Sequence, residues 1–166
     1  CSMSIKKALT HLSFARAALV DLEDHDDGDG IANTFTNEVL QIAIEEIGNG
    51  DVGGNNSGPH VAKYKTILDD GDDDDDGAWC AAFISWVCEE ACRRLDAEMP
   101  FKRSQGAKQL FKRIKKAGRG LKHPEPGCVV LWDRGKLQKN GKPSWMGHIG
   151  IVESVTSGMI HTIEGN

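Results

Sequence analysis

One of the five cysteines in this 166-residue chain is placed for nucleophilic work. Cys80 opens a segment whose Trp79, Phe83, Trp86 and Val87 form one apolar side, with Leu95 near its end, which predicts a helix over 79–95. A thiol at a helix N-terminus meets the positive end of the backbone dipole and free N–H groups, and both favour the reactive thiolate. Ala81 and Ala82 beside it leave room for a carbonyl group. Cys88 and Cys92 lie two and three turns further along, four apart on one helix face; they could ligate a metal or pair elsewhere, but they read best as small buried hydrophobes. An odd number of cysteines without a Cys-x-x-Cys pair gives no disulfide framework. A thiol nucleophile needs a base, and the base needs a group to orient it. His148 sits in a strand-like stretch between Gly147 and Gly150, and Glu164 and Asn166 lie two apart at the end of another, so either could accept a bond from the imidazole. His161 has the opposite parity to Glu164 and is expected to face away. Spacing alone leaves open the blander reading of a buried structural Cys and a structural strand His.

The elements that must hold these residues divide the chain in two. Ile5, Ala8, Leu9, Leu12, Ala15, Leu19 and Leu22 recur at helical spacing and predict an amphipathic helix over 4–22. The run Asp24-His25-Asp26-Asp27-Gly28-Asp29-Gly30 ends it. An EF-hand loop started at Asp27 would put Glu38 at its twelfth position, but Ala32 stands where the sharp-turn glycine belongs and Ile31 where an oxygen ligand belongs, so the run is read as an acidic linker. Thr36 caps a predicted second helix that Gly48 stops near Ile47. Residues 48–60, rich in Gly and Asn, are read as loop. Ala107, Leu110, Phe111 and Ile114 mark a further helix, stopped by Gly118. Strands are predicted over 128–132, 148–152 and 159–164, the last two joined as a hairpin through Thr156-Ser157-Gly158. Helices first and an antiparallel sheet afterwards imply an α+β fold.

Four linked stretches carry a family resemblance. Trp79-Cys80-Ala81-Ala82-Phe83-Ile84-Ser85-Trp86 resembles the Cys motif of the CHAP family (cysteine, histidine-dependent amidohydrolases/peptidases). Pro126-Gly127-Cys128-Val129-Val130-Leu131-Trp132 is similar to its Pro-Gly-Asp-hydrophobic strand, Gly147-His148-Ile149-Gly150-Ile151-Val152-Glu153 to its His motif, and Ile163-Glu164-Gly165-Asn166 to its terminal motif. Glu46-Ile47-Gly48 and Asn55-Asn56-Ser57-Gly58-Pro59 look like the approach to the Cys motif, so the likeness spans roughly residues 37–166. Cys128 departs from the pattern, standing where the family has Asp, and relatives continue with more strand where this chain stops. The resemblance implies a papain-like fold with N-terminal helices packed on a C-terminal antiparallel sheet. It implies Cys80 as nucleophile, His148 as general base and then acid, Glu164 as the group that orients His148, and Asn166 in support. Trp79, inside the Cys motif, is assigned to the substrate groove; Trp145, three residues before His148, suits the groove and the core equally and is counted with the groove; Trp132 is assigned to the core. Two regions follow: residues 1–33, a helix and acidic linker, and residues 34–166, the catalytic domain.

Charge bears on cofactors and partners. Seven Asp residues between Asp69 and Asp76 stand just before Cys80; without them the formal charge of −5 becomes +2. Such density near a thiol opposes its ionisation, and Ca²⁺ bound by Asp72, Asp74 and Asp76 would cancel it, although a solvated acidic insertion is the simpler reading. No cofactor is required by the chemistry. Arg93 to Lys122 holds 11 Lys or Arg against Asp96 and Glu98, which suits an anionic polymer or an ordinary solvated helix face. Peptidoglycan is the partner the resemblance implies, with no nucleic acid, and with an immunity or inhibitor protein if the chain is an antibacterial effector. No apolar run spans a bilayer and no secretory signal is read, so action at the cell wall, in the periplasm or outside the cell, would depend on another export or release system. The expected activity is hydrolysis of peptidoglycan amide bonds, as amidase or endopeptidase, in a phage lysin or an antibacterial effector. A non-catalytic wall-binding or Ca²⁺-binding module on the same fold is the alternative.

Overall fold

The computed structural model describes residues 3–4, 12–16, 28–66, 77–133, 138, 140–142, 144 and 146–166. In chain order they form β1 (Met3–Ser4), β2 (Leu12–Arg16), α1 (Gly28–Glu45), α2 (Pro59–Lys65), α3 (Cys80–Arg94), α4 (Ala107–Ala117), β3 (Arg119–Leu121), β4 (Val129–Asp133), β5 (Gly147–Thr156) and β6 (Met159–Glu164). The strands make one sheet in the order β1-β6-β5-β4-β2-β3, and every neighbouring pair is antiparallel. The α+β class is therefore as expected, with the helices against a mainly C-terminal sheet.

Helix α3 is the centre of the fold. It packs against α1, α2, α4 and β5. Ten of its fifteen residues are buried, so it is apolar nearly all round, as a core helix must be. Phe35, Val39, Ile42 and Ala43 bring one stripe of α1 to it, and Leu110, Phe111 and Ile114 bring one stripe of α4. Alternate residues of the sheet, Val129, Leu131, Ile149, Ile151 and Ile163, close the same core. Their neighbours Cys128, Val130, Val152 and Ile160 build a second, smaller cluster. Cys128 is buried in that cluster and accepts the Glu125 N–H at 3.4 Å, a place where a carboxylate would be costly.

Two N-terminal expectations are overturned. The 4–22 stretch does not read out as a helix: Leu12–Arg16 is a strand inserted between β4 and β3. Leu12-Ser13-Phe14-Ala15-Arg16 carries a period-2 alternation under its helical one, and pairing on both sides decides between them. The acidic linker and the Thr36 cap fail together, because α1 already begins at Gly28, runs across the 33/34 boundary and buries Thr36 within it. Its Phe35-Val39-Ile42 stripe packs on α3, and that packing outweighs the poor helix propensity of its first residues. A helical 28–38 also removes any EF-hand loop from Asp27.

Three short elements were not predicted, the first of them β1, which pairs with β6 at the edge of the sheet. Helix α2 starts on Pro59, which is suited to the first helical position, and sends Val61 and Tyr64 into the core. Among the described residues strand β3 pairs only with β2. The predicted β5–β6 hairpin forms as expected. Ser157 (φ 46°) and Gly158 (φ 81°) lie between the paired Thr156 and Met159, the two-residue turn whose twist suits a hairpin.

Candidate active site

Cys80 is the first residue of α3. The first bond within that helix runs from the Phe83 N–H to the Trp79 carbonyl. The N–H groups of Cys80, Ala81 and Ala82 therefore have no intrahelical partner and stand beside the sulfur. The residue before them is fixed from three sides. The Trp79 N–H donates to Asn166 Oδ1 (3.0 Å), its indole Nε1–H donates to Asp51 Oδ1 (2.9 Å), and its ring stacks on Tyr64 (5.4 Å). Tyr64 is held in turn: its hydroxyl donates to Glu46 Oε2 at 2.6 Å, beside the Lys63 ammonium on the same carboxylate. Burial works against the charge on Glu46, but the bonds from Lys63, Tyr64 and Asn49 outweigh it and hold its pKa low.

Trp79 is only 5 % exposed. Its expected place in the substrate groove is thus corrected: the indole is a core residue that positions the start of α3. Asn166 keeps a supporting place but not as a partner of the imidazole. It lies past the end of β6 and binds the Trp79 backbone, so it steadies the helix start that carries Cys80 and makes no bond to His148.

His148 stands at the start of β5. Its Nε2 meets Glu164 Oε2 at 2.7 Å, and the other oxygen of Glu164 accepts the Thr162 hydroxyl at 2.6 Å. With Nε2 so engaged, Nδ1 is the nitrogen left for the thiol. The hydrogen bond with Cys80 is the largest influence on the imidazole and that with Glu164 the second; together they outweigh burial and raise its pKa from 6.5 to about 9. Burial disfavours the Glu164 carboxylate, but bonds from His148 and Thr162 overcome this and lower its pKa. At neutral pH the pair is an imidazolium held by a carboxylate, with the proton resting on His148.

The register shows how Glu164 reaches a residue that it does not face. Glu164 is paired with Gly150, and His148 is the diagonal neighbour. A Cβ on Gly150 would come within 2.8 Å of Glu164 Cγ and 3.2 Å of the Trp132 ring. The missing side chain is what lets the carboxylate lean across to the imidazole. Trp132, paired with His148 in β4, lays its ring 5.6 Å from the imidazole and is only partly buried, so it is a wall of the site more than a core residue.

Cys88 and Cys92 take no part. Burial pushes the Cys88 thiol far above its ordinary range and that of Cys92 up to about 11. His161 faces away as expected, bonded to the Thr156 hydroxyl at 2.8 Å. Trp145, Asp72, Asp74 and Asp76 lie outside the described residues. Among the described residues no group of three or more His, Cys, Asp or Glu could hold a metal ion.

A groove of about 660 Å³ opens beside the sulfur, with Gly77, Ala78 and Cys80 along one side and the start of α4 along the other. A family model described as the CHAP domain matches residues 72–166, more than half of the chain. The chain belongs to the CHAP family. The match takes in Cys80, His148, Glu164 and Asn166, so the CHAP region is the one that holds the geometry above. No match was found among curated proteins or among solved structures. CHAP membership sets the broad class, a peptidoglycan-hydrolase-type family that acts on the cell wall. Among the described residues no helix is long and apolar enough to cross a membrane.

Gly150, Trp132, Thr162 and Asp51 are the site residues that sequence reasoning missed. Thr162 could have been found, since it stands two residues before Glu164 on the same strand face. Gly150 was read only as space around the imidazole. Asp51, in a Gly- and Asn-rich loop, carried no signal.

Proposed function

We propose that this chain hydrolyses amide bonds of peptidoglycan by acyl transfer, with Cys80 as nucleophile. The observation that carries the reading is the 2.7 Å bond between His148 and Glu164 next to a thiol that opens both a helix and a groove. The Cys80 sulfur attacks a peptide carbonyl of the stem or cross-bridge while its proton is held on His148. The carbonyl oxygen becomes an oxyanion beside the free N–H groups at the start of α3. His148 then gives its proton to the leaving amine, which departs as the thioester forms. Water enters, gives a proton back to His148, and releases the acid. Glu164 keeps the imidazole in one orientation and tautomer throughout, and Asn166 acts through Trp79 as a positioning residue.

No cofactor is needed for these steps; a Ca²⁺ site in the Asp run would serve the loop before Cys80 and not the reacting atoms. A role as phage lysin or antibacterial effector fits an enzyme brought to the wall by another system, and an effector would meet an immunity protein in the cell that makes it. The test is digestion of purified sacculi with fragment masses read beside a Cys80→Ala control. New amino and carboxyl ends that need Cys80 support the reading, and their masses name the bond. Intact sacculi in both samples would refute it and favour a binding module.

A further inference from the structure

The groove beside Cys80 has a charge character that the triad does not use. Its volume of about 660 Å³ lies within the ~300–1,000 Å³ of small-ligand pockets, enough for a few residues of peptide. Two lysines of α4 line it, four apart and therefore on one helix face. Lys108 is committed to the fold: its Nζ holds Asp133 Oδ1 at 2.6 Å and donates to the Ser144 carbonyl at 2.7 Å. Lys112 is exposed and makes no ion pair or hydrogen bond among the described residues. Gln105 is half-buried in the same wall, and its amide has no partner among the described residues either. No carboxylate lines this groove among the described residues. A smaller hollow of about 260 Å³ is of the opposite kind, bordered by Glu46, Glu153 and Glu164.

We infer that the groove is the subsite for a peptide bearing a free carboxylate near the scissile amide, with Lys112 and Gln105 as its specificity residues. The Lys112 ammonium faces the carboxylate, and the Gln105 amide donates to one of its oxygens. Backbone N–H groups at the start of α4, which no side chain caps, add to the same positive field. The inference rests on the hydrolase reading for what lies at the sulfur, but the charge preference can be read without turnover.

Two stem-type peptides serve as probes, alike except that the α-carboxyl of a γ-linked D-glutamate is free in one and amidated in the other. Calorimetry on the full-length Cys80→Ala protein is expected to show about tenfold tighter binding of the free acid at low salt, with the margin shrinking as salt rises. Lys112→Gln should reduce the margin to about twofold or less, and Gln105→Ala should weaken the acid by about threefold. Lys115→Gln, an exposed charge on the same helix but away from the groove, should leave the margin intact. Equal binding of the two peptides, or a margin that survives Lys112→Gln or falls equally with Lys115→Gln, overturns the inference. Cleavage of the peptides by the unsubstituted protein is scored separately. Charge discrimination without cleavage counts against the hydrolase reading alone, and cleavage without discrimination counts against this inference alone.

Discussion

Replacing Glu164 by Gln tests the site most directly, because it removes one charge and keeps the shape. The imidazole of His148 rises from 6.5 to about 9. At ~1.4 kcal/mol per pH unit that rise is on the order of 3 kcal/mol in favour of the protonated ring. Cys80 supplies the largest part and Glu164 the next, with burial opposing both. Glu164→Gln should therefore lower the His148 pKa by about 1, and Cys80→Ala should lower it further. NMR titration of the ring C–H protons reads both values directly. If the imidazolium is the acid that releases the amine, the alkaline limb of kcat/KM falls near pH 9. In Glu164→Gln the limb should move to about pH 8, with about 10- to 100-fold less activity at neutral pH. Stability follows the same linkage. A histidine pKa raised in the folded state stabilises fully below the unfolded value of 6.5, and that contribution is lost as pH climbs through about 9. The lowered Glu164 pKa acts at the other end, with a contribution present above the unfolded value near 4.5 and lost as pH falls through the folded one. An alkaline limb unmoved by Glu164→Gln, or a larger drop in the His148 pKa from Glu164→Gln than from Cys80→Ala, refutes this account of the site.

Further outcomes follow from single contacts. Gly150→Ala puts a methyl group within 2.8 Å of Glu164 Cγ; it should cut activity at least about tenfold by swinging the carboxylate off His148, while the far-ultraviolet circular dichroism stays unchanged. Asn166→Ala removes the acceptor of the Trp79 N–H and should cost about 1 kcal/mol in urea unfolding, with kcat falling and KM nearly constant as Cys80 loosens. Trp79→Ala empties a stacked, hydrogen-bonded core position and should cost about 3–5 kcal/mol, enough to appear as a large fall in Tm. Chelator should leave sacculus digestion within about twofold of the untreated rate, since the proposed mechanism needs only thiol and imidazole; a loss restored by Ca²⁺ would instead make the Asp run a metal loop.

The placement of Cys80, His148 and Glu164, proposed as nucleophile, base and orienting acid, was legible in the sequence because each sits in a local pattern that the fold keeps. Cys80 begins a helix whose apolar residues announce it, and His148 and Glu164 lie on strands whose alternation is plain. Local sequence also announced the hairpin turn, since Gly158 takes its positive φ without a side-chain clash, while the pairing of Thr156 with Met159 holds Ser157 at a φ that its own side chain does not favour. Spacing alone did not separate Glu164 from Asn166, and the family resemblance assigned their roles without a physical reason. Their common parity allowed either to reach His148, and only the register that sets Glu164 opposite Gly150, with α3 docked so that Trp79 meets Asn166, separates their roles. The N-terminal segment failed for a similar reason. Leu12–Arg16 carries two periodicities at once, and the strands β3 and β4, more than a hundred residues away in the chain, decide which is used. Burial of Trp79, and the lack of a partner for Lys112 among the described residues, belong to the same class of fact. A side chain's type and spacing say what it can do; which neighbours satisfy it, and so what it is left free to do, depends on segments that meet only when the chain is folded.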